Sequence, residues 1–572
     1  MVDFIKTLID NRLTQYEIDV VYGGYQGVID TKFDIYNEIN KIPFIDQAAR
    51  LILDTIDNKG LIVFCGDFDN DGITSAYISH KILTTMLGCE KDNLKFIIGK
   101  RVEGRGITDI LVDKLDNLSN KLDRTPSLFI TADHGSNDEA SYARIKELYP
   151  DIKIIVTDHH HIDCGIPPHS DVFINTQRED CNFSKNICGC ATIFLVLLRS
   201  WVAMTGSVDI RDFDTTLPFV GMATIVDMMS MKDPINRYLV KEGLKVLNDD
   251  SFFDRNIDHI VKVLNIDKNI TFKDVGMSIG PLINTANRLG AEDYTLLAFI
   301  TDNDDRSLEL FKYLHGLNKL RKSETDYLTQ QAIATTDINT YEYSGVSVID
   351  SKALIAGVVA GNLSQYFSRP FICFTQDYTK KDKYIGSGRA GVEGFNLLES
   401  LREIENTDKD FTVTASGHAG ACGVVVTGNI DKFKSSFDKV AKDKLITMER
   451  PVYNPEIEFK HSDIHLYNAK QIMDLGPYGL EFKQPIITTK NVILTSIVPI
   501  RTFYKLTFKL DDGNEVTGMM FFKYPTKNKL NMVNFLGKVK KGMHVDINYH
   551  LSISYFRGIY STSLEIIDII PT

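Results

Sequence analysis

The chain reads as an α/β protein built on a mostly parallel sheet, continued by a long helix and ending in an all-β terminus. Three observations predict this. Short apolar runs at 61–65, 94–98, 127–132 and 152–157 alternate with helical patterns at 73–87, 137–148 and 189–203, as a βαβ series does. Residues 304–336 hold no Pro and a single Gly, Gly316, with Leu and Phe set among regular charges, the pattern of one long helix. Past residue 490, alternating runs at 492–498, 504–510, 516–522, 544–551 and 561–567 predict a sandwich or small barrel.

At 572 residues the chain exceeds one ordinary core and suggests several domains. With 43% hydrophobic and 24% charged residues it has a globular composition. No apolar run is long enough to span a bilayer, and M-V-D-F-I-K-T-L-I-D at the start lacks a secretory apolar region. The eight cysteines form no C-x-x-C pair, and nothing near Cys188-Gly-Cys190 completes a zinc set. Reduced thiols in a cytoplasmic protein (the host cytoplasm, for a viral chain) are therefore expected. The net charge of −12 argues against indiscriminate coating of nucleic acid but leaves room for a local basic groove.

Residues 1–45 are mixed, and are expected to pack on the domain that follows. An amphipathic helix over 44–56 leads into the strand L-I-V-F-C, which stops at Gly66. Asp67, Asp69 and Asp71 follow at alternate positions before Gly72. Carboxylates crowded into one turn repel one another, and a hard cation such as Mg2+ or Mn2+ would neutralise them. An acidic solvated loop is the plain alternative. Distant partners favour the cation. Asp133 closes S-L-F-I-T-A-D, Asp158 to His161 close I-K-I-I-V-T-D-H-H-H, and Asp227 closes G-M-A-T-I-V-D. In an open parallel sheet, ligands bind outside the carboxyl ends of the strands, so one fold gathers Asp69, Asp71, Asp133 and the histidines at one edge. Aspartates mixed with imidazoles fit two ions flanking a phosphoryl displacement. Asp227, in apolar surroundings, needs a cation or hydrogen bonds unless it serves as a helix N-cap.

K-R-V-E-G-R-G-I at 100–107 sets Arg101 and Arg105 beside two glycines. That suits a loop whose backbone approaches a phosphate, or a surface turn. P-L-I-N-T-A-N-R-L-G at 281–290 places Asn284 and Arg288 on one helix face. Arg suits bidentate phosphate binding and Asn can orient a neighbour; a helix salt bridge is the alternative. G-S-G-R-A at 386–390 offers Ser387 and Arg389, and S-G-H-A-G-A-C-G at 416–423 offers His418, each in a glycine-rich loop able to cradle phosphate. From residue 501 onward ten Lys/Arg stand against six Asp/Glu, so the terminus is locally basic. Phe503, Phe508, Phe521, Phe522, Tyr524, Tyr555 and Phe556 interleave with Lys523, Lys527 and Arg557, a pattern for stacking unpaired bases in a basic groove.

In this order, the D-x-D-x-D-G turn, the Asp133 segment, the D-H-H triplet and the Asp227 segment resemble the DHH phosphoesterase superfamily. More narrowly, the chain is similar to the RecJ-type single-strand-specific exonucleases, from about residue 45 to the end. The resemblance implies a DHH catalytic domain at 46–300 after the N-terminal segment 1–45. It implies a connecting helix at 301–336, a DHH-associated (DHHA1-like) domain at 337–445 and an OB-like barrel at 446–572. The implied activity is 5′-to-3′ hydrolysis of single-stranded DNA to mononucleotides, in DNA repair, recombination or replication. One or two Mn2+ or Mg2+ ions would sit on Asp67, Asp69, Asp71, Asp133, His159, His160 and Asp227. Arg101, Asn284, Arg288, Ser387, Arg389 and His418 would bind substrate. Single-stranded DNA is the implied partner, with single-strand-binding or recombination proteins beside it.

The chain departs from the family at several positions. Cys65 stands where histidine is common, His134 where cysteine is common, and Arg105 where an aromatic usually separates the glycines. Asn287 and Ser416 each replace a glycine. Two readings compete with the exonuclease. A DHH oligoribonuclease or cyclic-dinucleotide phosphodiesterase shares the metal centre but is usually shorter and lacks the terminal barrel. A non-catalytic DHH-derived scaffold would be expected to lose ligands, and all are present here.

Overall fold

The computed structural model describes residues 3–163, 165–266, 269–336, 340–351, 355–376, 382–392, 394–405, 409–447, 454–500, 503–521, 539–556 and 559–572. Its backbone forms two compact units, Met1–Asn318 with Tyr467–Pro485, and Lys319–Leu466 with Ile486–Thr572.

In the first unit, strands β1 (Leu61–Gly66), β2 (Leu94–Ile98), β3 (Pro126–Ala132), β4 (Lys153–Asp158) and β5 (Val172–Asn175) form one sheet. Every pairing is parallel and the order is β2-β1-β3-β4-β5. The strands are near-continuous apolar runs because both faces are covered. Ile62 and Phe64 face the core shared with helices Ile45–Asp57, Asn70–Lys81 and Gly189–Thr205. Leu61, Val63 and Cys65 face the layer of Asp109–Leu122 and Glu139–Leu148. From β1 the chain steps to β2 on one side and then to β3 on the other. The carboxyl ends of β1 and β3 therefore flank the switch point, where such sheets hold ligands.

The helix expected at 73–87 begins earlier, at Asn70, because Asp69 caps it, and ends in a wider π-turn at Ile82–Met86. The N-terminal segment packs within this unit through Ile5, Leu8, Ile9 and Val28. Residues 467–485 return to it from late in the chain. There the fully buried Arg237 donates to the carbonyls of Val28, Leu475, Gly476 and Pro477, with its guanidinium 4.2 Å from the Phe482 ring centroid. This stretch lies within the range the resemblance assigns to the barrel domain.

The long helix runs over Asp304–Thr335. In the second unit, β6 (Gly345–Ile349), β7 (Phe371–Gln376), β8 (Lys383–Arg389), β9 (Phe411–His418) and β10 (Ala421–Gly428) form a mixed sheet ordered β6-β7-β8-β10-β9. The terminus carries β11 (Ile457–Glu458), β12 (Ile487–Ile500), β13 (Phe503–Lys509), β14 (Glu515–Phe521), β15 (His544–Phe556) and β16 (Ile559–Pro571). Its five long strands pair in a ring, β12-β13-β14-β16-β15, that closes through β12–β15. The strand-rich terminus expected from the alternating runs is found, with the pairing order that a small barrel requires. Phe508 belongs to its core, whereas Phe503 and the exposed Phe521 pair at 5.4 Å between ring centroids. Phe522, Lys523, Tyr524, Lys527 and Arg557 lie outside the described residues. Among the described residues, no helix is long and apolar enough to cross a membrane.

Candidate metal centre

The Asp67–Gly72 turn folds tightly on itself, since a Cβ on Gly72 would strike the backbone of Asp67. Asp69 Oδ1 accepts the N–H groups of Asp71 (2.9 Å) and Gly72 (3.4 Å), capping the helix it opens. The Asp71 carboxylate is gripped at the N-terminus of helix Gly189–Thr205. Oδ2 accepts from Gly189 N at 2.6 Å and Oδ1 from Cys190 N at 2.9 Å. Orphan N–H groups and the helix dipole favour an anion there. Asp133 sits at the end of β3 with a left-handed φ of 66°, and Met228, next to Asp227, with φ 58°. Two strained backbones at one cluster are what functional sites retain.

His159 Nε2 lies 3.1 Å from Asp133 Oδ1, 3.6 Å from Asp227 Oδ2 and 3.8 Å from Asp71 Oδ2. Asp158 accepts from the N–H groups of Ser136, His159 and His160 and pairs with His160 Nδ1 at 2.8 Å. That leaves Nε2 of His160 as its donor nitrogen. Three groups could hold a cation: Asp67–Asp69–Asp133, Asp71–His159–Asp227, and Asp133–Asp158–His159–His160. Their overlap through Asp133 and His159 suits two neighbouring ions.

The electrostatics fit a cation. Burial, then the charge of Asp69, pushes the Asp67 carboxyl up to about 7. Burial, then Asp71 and Asp69, pushes Asp227 up to about 9, and Asp133 rises well above the usual range for the same reasons. Asp227 Oδ2 is buried with no hydrogen-bond partner among the described residues. Burial lowers His159, keeping its imidazole neutral and able to donate a lone pair. Asp158 behaves oppositely. Burial would raise it, but the hydrogen bond and charge of His160 hold it well below the carboxylate range. His160 rises to about 9 through the same pair, against its own desolvation.

The structure thus gathers Asp67, Asp69, Asp71, Asp133, His159, His160 and Asp227. Asp227 stands at the C-terminal end of helix Leu217–Val226, which excludes the N-cap alternative. His161 is exposed and pairs with Asp163, away from the cluster. Cys65 is buried as a neutral thiol, its pKa driven up by burial. His134, pushed down to about 4 by burial, lies 3.1 Å from the Cys65 carbonyl through Nε2. Neither belongs to a donor group above.

Arg101 lies in a short turn, its guanidinium 5.8 Å from the centroid of the Phe68 ring. Gly104 (φ 105°) and Gly106 (φ 76°) need glycine, and a Cβ on Gly106 would also strike the Asp138 carboxylate. Among the described residues, neither the Arg101 nor the Arg105 guanidinium forms a hydrogen bond or ion pair. The single helix face expected for Asn284 and Arg288 is not found. The helix Gly280–Ile283 ends at Asn284 and a second short helix, Ala286–Leu289, carries Arg288. Asn284 instead accepts the Asn70 N–H through Oδ1 at 2.7 Å, and so orients the Asp turn.

In the second unit the two expected glycine-rich loops are strands. Ser387 and Arg389 lie in β8, and His418 ends β9 in a hairpin with β10. Ala421 faces Arg389 on one side and His418 on the other, so all three share a sheet face. Gly423 stands likewise between Ser387 and Ser416. The glycines of β8 are packing glycines: a Cβ on Gly386 would strike Cys373 O, and one on Gly388 would come 2.7 Å from Leu397 Cδ2. Arg389 Nη1 donates to Ser387 Oγ and to the Gly388 carbonyl, both at 2.7 Å.

Asp158 and Gly189 were missed as site residues. The first was visible as the opening letter of the D-H-H triplet. The second carried no signal, since G-C-A-T-I-F-L-V-L-L reads as core helix. A Cβ on Gly189 would lie 2.5 Å from Asp133 Cβ.

Comparison with known proteins places this geometry. The family model for the DHH family, N-terminal domain, matches residues 61–213, and that for the RecJ OB domain matches residues 456–568. The single-stranded-DNA-specific exonuclease RecJ of Salmonella typhimurium is 26% identical over 553 residues, 92% of this chain and 90% of that protein. The crystal structure of RecJ from Thermus thermophilus in complex with Mn2+ matches with a TM-score of 0.67 at 19% identity, over 92% of this chain and 72% of that one. The same protein in complex with Mg2+ matches at 0.65 and 18% identity, over 92% and 70%.

Proposed function

Because the chain belongs to the RecJ-type branch of the DHH phosphoesterases, we propose that it hydrolyses single-stranded DNA to mononucleotides, from the 5′ end, in a metal-dependent reaction. One observation carries this reading: Asp71, Asp133 and Asp227 converge on one imidazole nitrogen, a concentration of carboxylate charge that a bound cation would offset. Asp67, Asp69, Asp71, Asp133, His159, His160 and Asp227 would hold one or two Mn2+ or Mg2+ ions. When bound, the metal would supply Lewis acidity at phosphorus and lower the pKa of water.

The remaining chemistry belongs to the chain's own residues. The helix N-terminus at Gly189 holds both oxygens of Asp71, so this ligand enters the reaction without reorganising. Asp158 fixes the ring orientation and tautomer of His160. Arg101 and Arg288 would bind phosphates near the scissile bond, with Asn284 orienting the turn. Ser387, Arg389 and His418 offer a second polar surface to the strand, and the barrel would hold unpaired bases by stacking. The barrel also weighs against the shorter oligoribonuclease and cyclic-dinucleotide readings. The protein would work in the cytoplasm, in repair, recombination or replication, alongside single-strand-binding or recombination proteins.

A time course on single-stranded DNA labelled at either end tests this, with Mn2+, Mg2+ or EDTA and an Asp133→Ala control. Immediate release of mononucleotide from the 5′ label, abolished by EDTA and by the substitution, is the expected outcome. Tight binding without cleavage under both metals would refute it, and cleavage confined to very short oligonucleotides would move the assignment to an oligoribonuclease.

A further inference from the structure

The Lys100-Arg101 dipeptide is docked on an acidic pair at the start of helix Glu292–Ile300. Lys100 Nζ lies 2.6 Å from Asp293 Oδ2, and the Arg101 N–H donates to Glu292 Oε1 at 3.3 Å. The two contacts differ in kind. The Asp293 side chain is 62% exposed, so its ion pair is screened and weak by itself. Glu292 is 1% exposed, and its second oxygen, Oε2, is buried without a hydrogen-bond partner among the described residues. A carboxylate left half-satisfied in the interior is costly.

The nearby cation is Arg101. Its guanidinium has no hydrogen bond or ion pair among the described residues, and it rests over Phe68, the buried residue between Asp67 and Asp69. Burial and the charge of Arg105 work against its protonated form, while Asp69, Asp67 and Glu292 favour it. The Asp turn and Glu292 thus both favour the cation, and among the described residues no direct partner neutralises it. A guanidinium held in place but left unpaired can take an anion.

We propose that Glu292, seconded by Asp293, is a positioning residue that pins Lys100-Arg101 so that the free guanidinium stands over Phe68, ready for a phosphate oxygen of the substrate strand. The inference rests on reading Arg101 as a phosphate-binding residue. Glu292 touches no reacting atom. Its effect passes through Arg101, on substrate capture rather than on the metal or the chemical step.

The test is a double-mutant cycle on the full-length protein: Glu292→Ala, Arg101→Ala and both together, with Glu292→Gln beside them. KM and kcat on single-stranded DNA with Mn2+ are measured along with Mn2+ affinity by calorimetry. Glu292→Ala should raise KM about tenfold, with kcat and Mn2+ affinity changed less than about twofold, as expected for lost ground-state binding. Glu292→Gln keeps an acceptor for the Arg101 N–H and should recover part of the loss. In the Arg101→Ala background Glu292→Ala should add nothing, because the two act as one unit. An equal KM rise in that background, a fall in Mn2+ affinity, or unchanged kinetics overturns the positioning role. An Arg101→Ala protein with unchanged KM instead overturns the phosphate-binding reading, and the proposal with it. If Glu292→Ala does not fold, Glu292→Gln carries the cycle with a smaller expected KM rise, about two- to fivefold in the wild-type background and none in the Arg101→Ala background; an equal rise in both backgrounds, or no rise at all, overturns the positioning role.

Discussion

Asp158 accepts three backbone N–H groups and holds Nδ1 of His160, which makes it the anchor of the D-H-H triplet. Partners of this kind typically influence metal affinity or activity by about 10- to 100-fold. Asp158→Asn is therefore expected to weaken Mn2+ binding and to lower kcat within that range, read by calorimetry and by initial rates. A second prediction at this scale concerns pH. The Asp67 and Asp227 carboxyls titrate near 7 and 9 in the fold, against about 4 in an unfolded chain. Groups raised in this way contribute stability that is complete below their unfolded pKa and is lost as pH rises through the folded one. The metal-free protein should therefore lose stability as pH rises from about 4 to about 9, where a bound cation offsets the charge. The melting temperature with Mn2+ minus that with EDTA should widen across this range; a constant or shrinking gap would contradict the assigned carboxylates.

Among elements, helix Gly189–Thr205 does more than fill the core. Its first residues bind the Asp71 carboxylate, and Gly189 lies against Asp133. Gly189→Ala places a methyl group 2.5 Å from Asp133 Cβ, with the backbone and side chain of Asp133 as the neighbours that must shift. Overpacking of this sort costs about 1–3 kcal/mol. A lower melting temperature together with a disproportionate loss of kcat is expected, and a variant with wild-type rates would show that the helix start has no part in orienting the centre. Four of the five strands of this sheet were legible because apolar runs broken by Gly and Asp report local period and length; the four-residue β5 was not expected from the sequence. β8 was not: Gly386 and Gly388 look like loop residues in sequence, yet they are glycine because β7 and helix Leu397–Ile404 press against them. Likewise, Asn284 and Arg288 have helical spacing, but the Asn70 N–H captures Asn284 where the helix ends.

For the whole molecule, residues 467–485 decide where the chain can be divided. The carbonyls of Leu475, Gly476 and Pro477 surround Arg237, which has no exposed surface. Cutting the chain at residue 450 would remove both barrel and strap, leaving a buried guanidinium short of acceptors, a loss of about 3–5 kcal/mol when a buried charge loses its partner. Residues 1–485 should melt cooperatively and still bind Mn2+, with a raised KM for long single strands, whereas residues 1–450 should melt at markedly lower temperature or fail to fold. Equal stability of the two fragments would remove the strap from the first unit's architecture.

The carboxylates and imidazoles that meet in the cluster, the parallel sheet and the β-rich terminus were determined by the sequence itself. Each is written locally: carboxylates directly after apolar runs, apolar runs alternating with helical patterns, and β-period alternation. Tertiary structure alone decided what holds those donors in place. The Asp71–Gly189 bond joins residues 118 apart, the Asn70–Asn284 bond residues 214 apart, and the Arg237–Pro477 bond residues 240 apart. Orientation of a ligand, the need for a missing Cβ and the ownership of a late strap all arise from such distant backbone meeting in space, and no local period encodes them.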